Sequence, residues 1–231
     1  MYTLTGVSKT YTKRSGTVLA VRDVMLSIAD GEWLAIQGRT GSGKTTLLQL
    51  LGAMHRPDSG VVSLGGQNLA RLPEPELSGV RASTIGFVFQ TFNLIPTLSA
   101  QENVEAALVP RKGKLPDAQR RERALAALDS LGLADRASHL PSELSGGQQQ
   151  RVGIARALVK EPKVLLADEP TGNLDIDTRD EIMSLLETLW RERGLTLVLI
   201  THDSAIAARA ERVATMRDGF LSVAFAPEER R

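Results

Sequence analysis

A short strand-like run, Glu32-Trp33-Leu34-Ala35-Ile36-Gln37, leads straight into Gly38-Arg39-Thr40-Gly41-Ser42-Gly43-Lys44-Thr45, and Thr46-Leu47-Leu48-Gln49-Leu50-Leu51 follows. Few patterns constrain a fold as tightly. The glycines let the backbone wrap closely, so that several N–H groups point at one anion. The helix expected from Lys44 to about Ala53 adds its dipole at that spot. Lys44 suits the charge between a β- and a γ-phosphate, and the Thr45 hydroxyl suits a magnesium ion. The spacing therefore predicts a strand, a phosphate loop and a helix, with Gly38–Thr46 holding a nucleoside triphosphate.

The rest of the chain reads as the α/β protein such a loop belongs to. The stretch through about Gly66 is rich in β-formers. Ile85–Phe89 is a further predicted strand, closed by Gln90. From about Thr91 to Lys160 the character becomes helical, with good helix formers over Arg121–Leu131 and an apolar stripe over Gly147–Val159. Pro162 ends that stretch. Strands are expected again at Val164–Ala167 and Thr196–Thr201, with a helix over Thr178–Arg193 between them. Asp218-Gly219 signals a hairpin. Pro110–Lys114 reads as a solvated basic loop, and Pro227–Arg231 as a frayed tail.

Bulk properties narrow the function. With 231 residues, 42% apolar and 24% charged, the chain resembles ordinary globular proteins. Its net charge of +1 gives no reason to expect nucleic acid or acidic lipid as the main partner. It has no cysteine, so disulfide and thiol chemistry are excluded. No apolar run approaches the roughly 20 residues of a bilayer span, and the first residues do not form a signal peptide. The expected compartment is the cytoplasm, where ATP is available.

Five further features converge on a nucleoside triphosphate. Val164–Ala167 ends in Asp168-Glu169: Asp168 is placed to hold magnesium through water, and Glu169 to polarise an attacking water. Leu144-Ser145-Gly146-Gly147-Gln148 is a second glycine-rich loop, with Ser145 expected as a helix cap over an anion site that lacks a lysine. His202 closes the strand ending at Thr201 and is a candidate γ-phosphate contact. Gln90 can reach magnesium or water from its own strand end. Tyr11, an aromatic before the first long strand, is a candidate platform for adenine.

Taken together, these residues resemble the nucleotide-binding subunit of an ABC transporter, over essentially the whole chain and in the right order. The resemblance implies one domain, 1–231, with a P-loop NTPase, RecA-like core, an antiparallel β-subdomain, and an inserted α-helical subdomain over about 91–160. It makes Tyr11 the adenine-stacking aromatic, Gln90 the Q-loop glutamine, His202 the switch histidine, and Asn173-Leu174-Asp175 the D-loop at a dimer interface. It implies ATP and Mg2+ as cofactors, with Ser145, Gly146, Gly147, Gln148 and Asp175 serving the nucleotide of a second copy. Partners would be that copy and an integral membrane permease, with no nucleic acid, on the cytoplasmic face of the inner membrane. Phe89–Leu94, Ser145–Val152 and Leu166–Asp175 are similar to the MacB/LolD-type group, whose members serve lipoprotein release, macrolide, peptide or haem export and cell division. Arg39-Thr40 departs from the Pro or Ala followed by Ser that is usual there.

The segment after Gln90, Thr91–Val104, carries Phe92, Leu94, Ile95 and Leu98 and is expected to dock the permease. The competing reading is a non-transport ABC ATPase acting on nucleic acid or the ribosome. The chain lacks room for the long coiled coil of DNA-repair members, and it lacks the second domain usual in translation members. A small-molecule P-loop kinase would have no use for Ser145–Gln148.

Overall fold

The computed structural model describes residues 1–13, 16–109 and 115–224. The basic loop expected at Pro110–Lys114 and the tail at Pro227–Arg231 lie outside them. The first half of the chain forms β1 (Tyr2–Lys13), β2 (Gly16–Ile28), β3 (Trp33–Gln37), α1 (Lys44–Leu51), β4 (Ser59–Leu64), β5 (Gln67–Asn68), α2 (Glu74–Ser83), β6 (Ile85–Val88) and α3 (Ala100–Glu105). The second half forms α4 (Asp117–Asp129), α5 (Gly146–Leu158), β7 (Val164–Asp168), α6 (Ile176–Arg193), β8 (Thr196–Thr201), α7 (Ser204–Ala207), β9 (Arg212–Arg217) and β10 (Phe220–Ala224). These fall into two compact units, Met1–Leu77 with Thr196–Arg231, and Ser78–Leu195.

In the first unit an antiparallel sheet runs in the order β2-β1-β4-β5. A second group of strands places β3 parallel between β8 and β9, with β10 antiparallel to β9. Residues 33–36 of β3 and all of β8 are buried. They show no apolar–polar alternation because parallel strands are covered on both faces. Helix α1 packs against β8 and β2. It buries Leu47, Leu48, Leu50 and Leu51, each worth roughly 1.5–3 kcal/mol of apolar burial. The Tyr2 hydroxyl donates to the Leu51 carbonyl at 2.8 Å, closing the end of α1. Burial pushes that hydroxyl above the usual tyrosine range. Asp218 and Gly219, with φ of 50° and 86°, join β9 to β10 in the expected tight hairpin.

In the second unit β6 pairs in parallel with β7, from Ile85 opposite Val164 to Val88 opposite Ala167. Helix α5 packs on β6, α3, α4 and α6, and buries Val152, Ile154, Ala155, Ala157 and Leu158. Helical structure does not start at Thr91 as expected. Residues 91–99 are turn and loop, and α3 opens at Ala100 behind a capping box of Ser99 and Glu102. The buried Asn103 side chain organises that loop. It accepts from Ile95 N–H at 2.7 Å and donates to the carbonyls of Ile95, Leu98 and Ser99. A polar side chain thus does the work that a helix was expected to do. Helix α4 begins at Asp117, four residues before the expected Arg121, because Pro116 sets an extended entry and Asp117 favours the first turn. Helix α6 begins at Ile176 behind the Asp175 cap and stops at the left-handed Gly194.

Candidate functional site

The phosphate loop is held open by close backbone approaches. A Cβ on Gly38 would come within 2.3 Å of the Met216 carbonyl oxygen, and one on Gly43 within 2.0 Å of the Ala20 carbonyl oxygen. Gly43 has φ 105° and Gly41 φ 80°, where side chains are strained. The Ser42 N–H donates to the Arg39 carbonyl (3.1 Å), and the Ser42 carbonyl accepts from Gly219 N–H (3.0 Å), so the β9–β10 hairpin tip pins the loop. Helix α1 starts behind Gly43 with no side-chain cap and no acid in its first turn. This end of the helix is the positive end of its dipole, which suits an anion. Lys44 is buried and donates to the Gly38 (2.8 Å) and Arg39 (3.1 Å) carbonyls. Ser42 Oγ is buried without a hydrogen-bond partner.

His202 belongs to the same face. Gln37, Gly38, Arg39, Thr40, His202 and Thr215 line one concavity at the C-terminal ends of β3, β8 and β9, the usual ligand edge of parallel strands. The exposed His202 is set by its neighbours. Asp203 N–H donates to Thr201 Oγ1 at 3.0 Å, and Asp203 Oδ1 caps α7 through Ala205 N–H at 2.8 Å. Among the described residues Tyr11 is not one of those lining this concavity. Its ring meets His55 edge-on at 6.1 Å, and Lys9 Nζ lies 5.8 Å from its centre.

In the second unit Asp168 ends β7 and Glu169 begins the turn that follows. Glu169 has φ 44°, a left-handed conformation costing a non-glycine residue roughly 1–3 kcal/mol. Its carbonyl accepts from Gly172 N–H at 3.0 Å. The next residues meet Gln90. Asn173 Nδ2 donates to the Gln90 carbonyl at 3.1 Å, and Gln90 Nε2 donates to Asn173 Oδ1 at 3.4 Å. A Cβ on Gly172 would lie 2.8 Å from Gln90 Nε2, so the glycine makes room for the glutamine. Asn173 was expected at a dimer interface only, and the sequence did not reveal its pairing with Gln90, 83 residues away.

Ser145 caps α5 as expected. Its Oγ accepts from Gln148 N–H (3.3 Å) while Gln148 Oε1 accepts from Ser145 N–H (2.9 Å). The two glycines after it face α6 and the loop before it. A Cβ on Gly147 would sit 2.6 Å from Thr178 Cγ2, and one on Gly146 3.2 Å from Leu174 Cδ2. Asp175 serves as the cap of α6, accepting from Thr178 N–H (3.0 Å) and Thr178 Oγ1 (2.8 Å). These bonds, the backbone one foremost, hold its carboxyl below the usual range. The sequence also gave no role to Gln150 or Arg156, two polar residues on the packed helix α5; Gln150 is fully buried.

The sequence profile of the family described as ABC transporter matches residues 21–172. The chain is 52% identical over 202 residues to the macrolide export ATP-binding/permease protein MacB of Rhodospirillum rubrum, covering 87% of this chain and 31% of that one. It thus spans about a third of the length of such relatives. It is 45% identical over 221 residues to the ABC transporter ATP-binding protein YvrO of Bacillus subtilis, covering 96% of this chain and 95% of that one. Among solved structures, it matches the dimeric post-hydrolysis state of the Methanocaldococcus jannaschii ATP-binding cassette MJ0796 bound to ADP and Pi. That match has a TM-score of 0.88 and 42% identity, covering 96% of this chain and 98% of that one. A phosphate loop on an α/β framework, a second glycine-led helix and the likeness to ATP-binding cassettes lead to one assignment: the chain belongs to the ABC transporter family.

Proposed function

We propose that two copies of the chain close on two ATP molecules, each held between Gly38–Thr46 of one copy and Ser145–Gln148 of the other, and that closure drives an integral membrane permease. One observation carries this reading. Among the described residues two helices are led by glycine-rich loops, the first with a lysine, Lys44, and the second without. The second, capped by Ser145 with no acid in its first turn, can add donors to a triphosphate without binding one alone. The solved relative named above is itself a dimer holding ADP and phosphate.

Within each site Lys44 binds the β- and γ-phosphates, Glu169 is the general base, and His202 and Gln90 contact the γ-phosphate and the water. Tyr11 stacks on adenine. Thr45, Gln90 and Asp168 are proposed for magnesium. Hydroxyl, amide and carboxylate oxygens suit that hard cation. Among the described residues no three His, Cys, Asp or Glu side chains gather into a metal cluster; phosphates and water would supply most of the shell. When bound, the ion neutralises charge on the transferring phosphate.

The proposal treats 1–231 as one nucleotide-binding domain with a helical subdomain over about 91–160. The permease docks on Thr91–Val104, where Ile95 is 45% exposed while Phe92, Leu94 and Leu98 are half-buried. No helix among the described residues is long and apolar enough to cross a membrane, and the chain sits on the cytoplasmic face by holding that partner. Export is the direction suggested by the likeness to MacB. Ile95→Glu is the direct probe of docking: it should lose the co-purifying membrane protein and keep basal ATPase. Glu102 is a poorer probe, because its carboxylate completes the α3 capping box.

The sandwich is tested by mixing Ser145→Arg and Lys44→Ala chains, each inactive alone. A mixed dimer has one site with both lesions and one with neither. At equal amounts half the dimers are mixed, so recovery should reach about a quarter of wild-type turnover for independent sites. No recovery, with mixed dimers shown to form, overturns the shared site.

A further inference from the structure

Helix α5 holds two loops with side chains that the proposed phosphate chemistry leaves unused. Late in the helix, the Arg156 guanidinium donates to the carbonyl of Asn93 and, at 2.7 Å, to that of Phe92. Early in the helix, buried Gln150 donates from Nε2 to the Pro170 carbonyl at 2.6 Å. Pro170 directly follows Glu169, and Phe92 stands two residues after Gln90.

The carbonyls held by Arg156 belong to an unusual piece of backbone. Phe92 and Asn93 have φ of 61° and 48°. Consecutive left-handed residues that are not glycine persist only when the surroundings impose them. Phe92 also lies along α5. A Cβ on Gly146 would be 3.9 Å from Phe92 Cζ, and one on Gly153 3.7 Å from the Phe92 carbonyl oxygen. These glycines are seven residues apart and share a helix face. Phe92 thus lies beside α5 near the Ser145–Gln148 end and is bonded to Arg156 near the other. The planar guanidinium donates to both carbonyls from one rigid fork. Arg156 is half-buried, and burial lowers its pKa while the group stays charged.

We propose that Arg156 is a positioning residue for ATP hydrolysis, fixing the left-handed backbone at Phe92–Asn93, and with it Gln90, to the helix that begins at Ser145–Gln148. A movement of α5 that follows contact with the partner's nucleotide must then move the segment behind Gln90 in the same chain. The two ATP sites become mechanically linked. The inference rests on the proposed roles of Gln90 and Ser145–Gln148.

The test compares the full wild-type chain with Arg156→Lys, Arg156→Met, and Arg156→Lys combined with Asn93→Gly. Lysine keeps the charge, but it offers one freely rotating ammonium in place of a fixed two-pronged fork, so it holds the two carbonyls less rigidly. Affinity for a fluorescent ATP analogue should stay within about twofold, kcat should fall about tenfold, and the Hill coefficient for ATP should drop toward one. Glycine accepts the left-handed backbone freely, so Asn93→Gly should restore part of the lost kcat. An arginine that only supports the fold would lower bound nucleotide and kcat in proportion and leave the Hill coefficient unchanged; that result overturns the proposal, as does wild-type turnover in Arg156→Lys. Should Arg156→Met fail to fold, the lysine pair still decides. Hydrogen exchange without nucleotide is the independent arm: Arg156→Lys should speed exchange across residues 91–95. Faster exchange in a chain whose wild type hydrolyses no ATP condemns the reading of the site and spares the clamp; unchanged exchange condemns the clamp.

Discussion

Helices α1 and α5 both begin at glycines, yet their two ends are built oppositely. The start of α1 has a left-handed glycine in place of a cap, and a buried lysine folded over its loop. Its last turn has no basic residue, and Tyr2 of β1 closes it. The start of α5 is satisfied by its own Ser145–Gln148 capping box, and its far end carries half-buried Arg156 and Lys160. An uncapped helix with an inner lysine is a binding site waiting for an anion. A capped helix with cations at its tail is a strut that gives up little when an anion meets it. The contrast fits the proposed sandwich, in which one chain binds ATP and a second completes the site.

The largest effect should come from breaking the α1 end. Lys44→Ala removes the charge held among the loop carbonyls. Hydrolysis should fall by at least about 100-fold, with weaker ATP binding, as when an electrostatic stabiliser of the transition state is lost. Turnover at the wild-type rate would remove the phosphate-loop assignment. Glu169→Gln should also cost about 100-fold or more in kcat, but with ATP retained. That variant should accumulate as an ATP-bound dimer on size-exclusion chromatography. Hydrolysis at the normal rate would mean that another residue is the base.

The two ends also differ in how legible they were. Everything in the α1 site that sits within a dozen residues was readable, because one spacing dictates strand, turn and helix. The strands bearing Asp168 and His202 were readable for the same reason. Helix α2 was not anticipated, since its sequence, EPELSGVRAS, carries few apolar residues and a mid-helix glycine. The start of α6 was set two residues late because Asp175 was read as a dimer residue and not as a cap. The grip of Asn103 on residues 95–99 and of Arg156 on residues 92–93 left no periodic trace. A side chain that bonds a distant carbonyl satisfies backbone without patterning its own neighbours.

Gly147→Ala sharpens the comparison at the α5 end. The glycine was expected to serve a nucleotide, yet Thr178 Cγ2 would lie 2.6 Å from the new methyl. Overpacking of this kind costs about 1–3 kcal/mol, against about 1 kcal/mol gained in helix propensity. The net loss should be about 1 kcal/mol in urea unfolding. Thr178→Ser deletes the offending methyl and keeps the hydroxyl that donates to Asp175. The double variant should then be at least as stable as wild type. If it is stable and still cannot hydrolyse ATP, the glycine serves the nucleotide as well as the fit; if it hydrolyses normally, the glycine is there for Thr178 alone. No stability loss in Gly147→Ala would show that Thr178 yields easily.

The smallest effect concerns the tail of α5. Lys160 donates to the Arg81 carbonyl at 2.7 Å, and its pKa is lowered to about 8, by burial first and by nearby Arg156 second. Below pH 8 the lysine is charged in both folded and unfolded chains, so its cost to the fold is constant. Between about 8 and the ordinary lysine value near 10.4 the unfolded chain keeps the proton and the folded chain releases it. The unfolded state then binds more protons, and stability rises with pH. Water reaches part of this side chain, so the full linkage will be muted to about 1–2 kcal/mol. Unfolding free energies at pH 7 and pH 10, taken for wild type and Lys160→Met, isolate it: the difference between the two pH values should be more positive in wild type by that amount. Equal differences would mean that Lys160 is solvated as an ordinary surface lysine, and that α5 ends, like α1, without a strained cation.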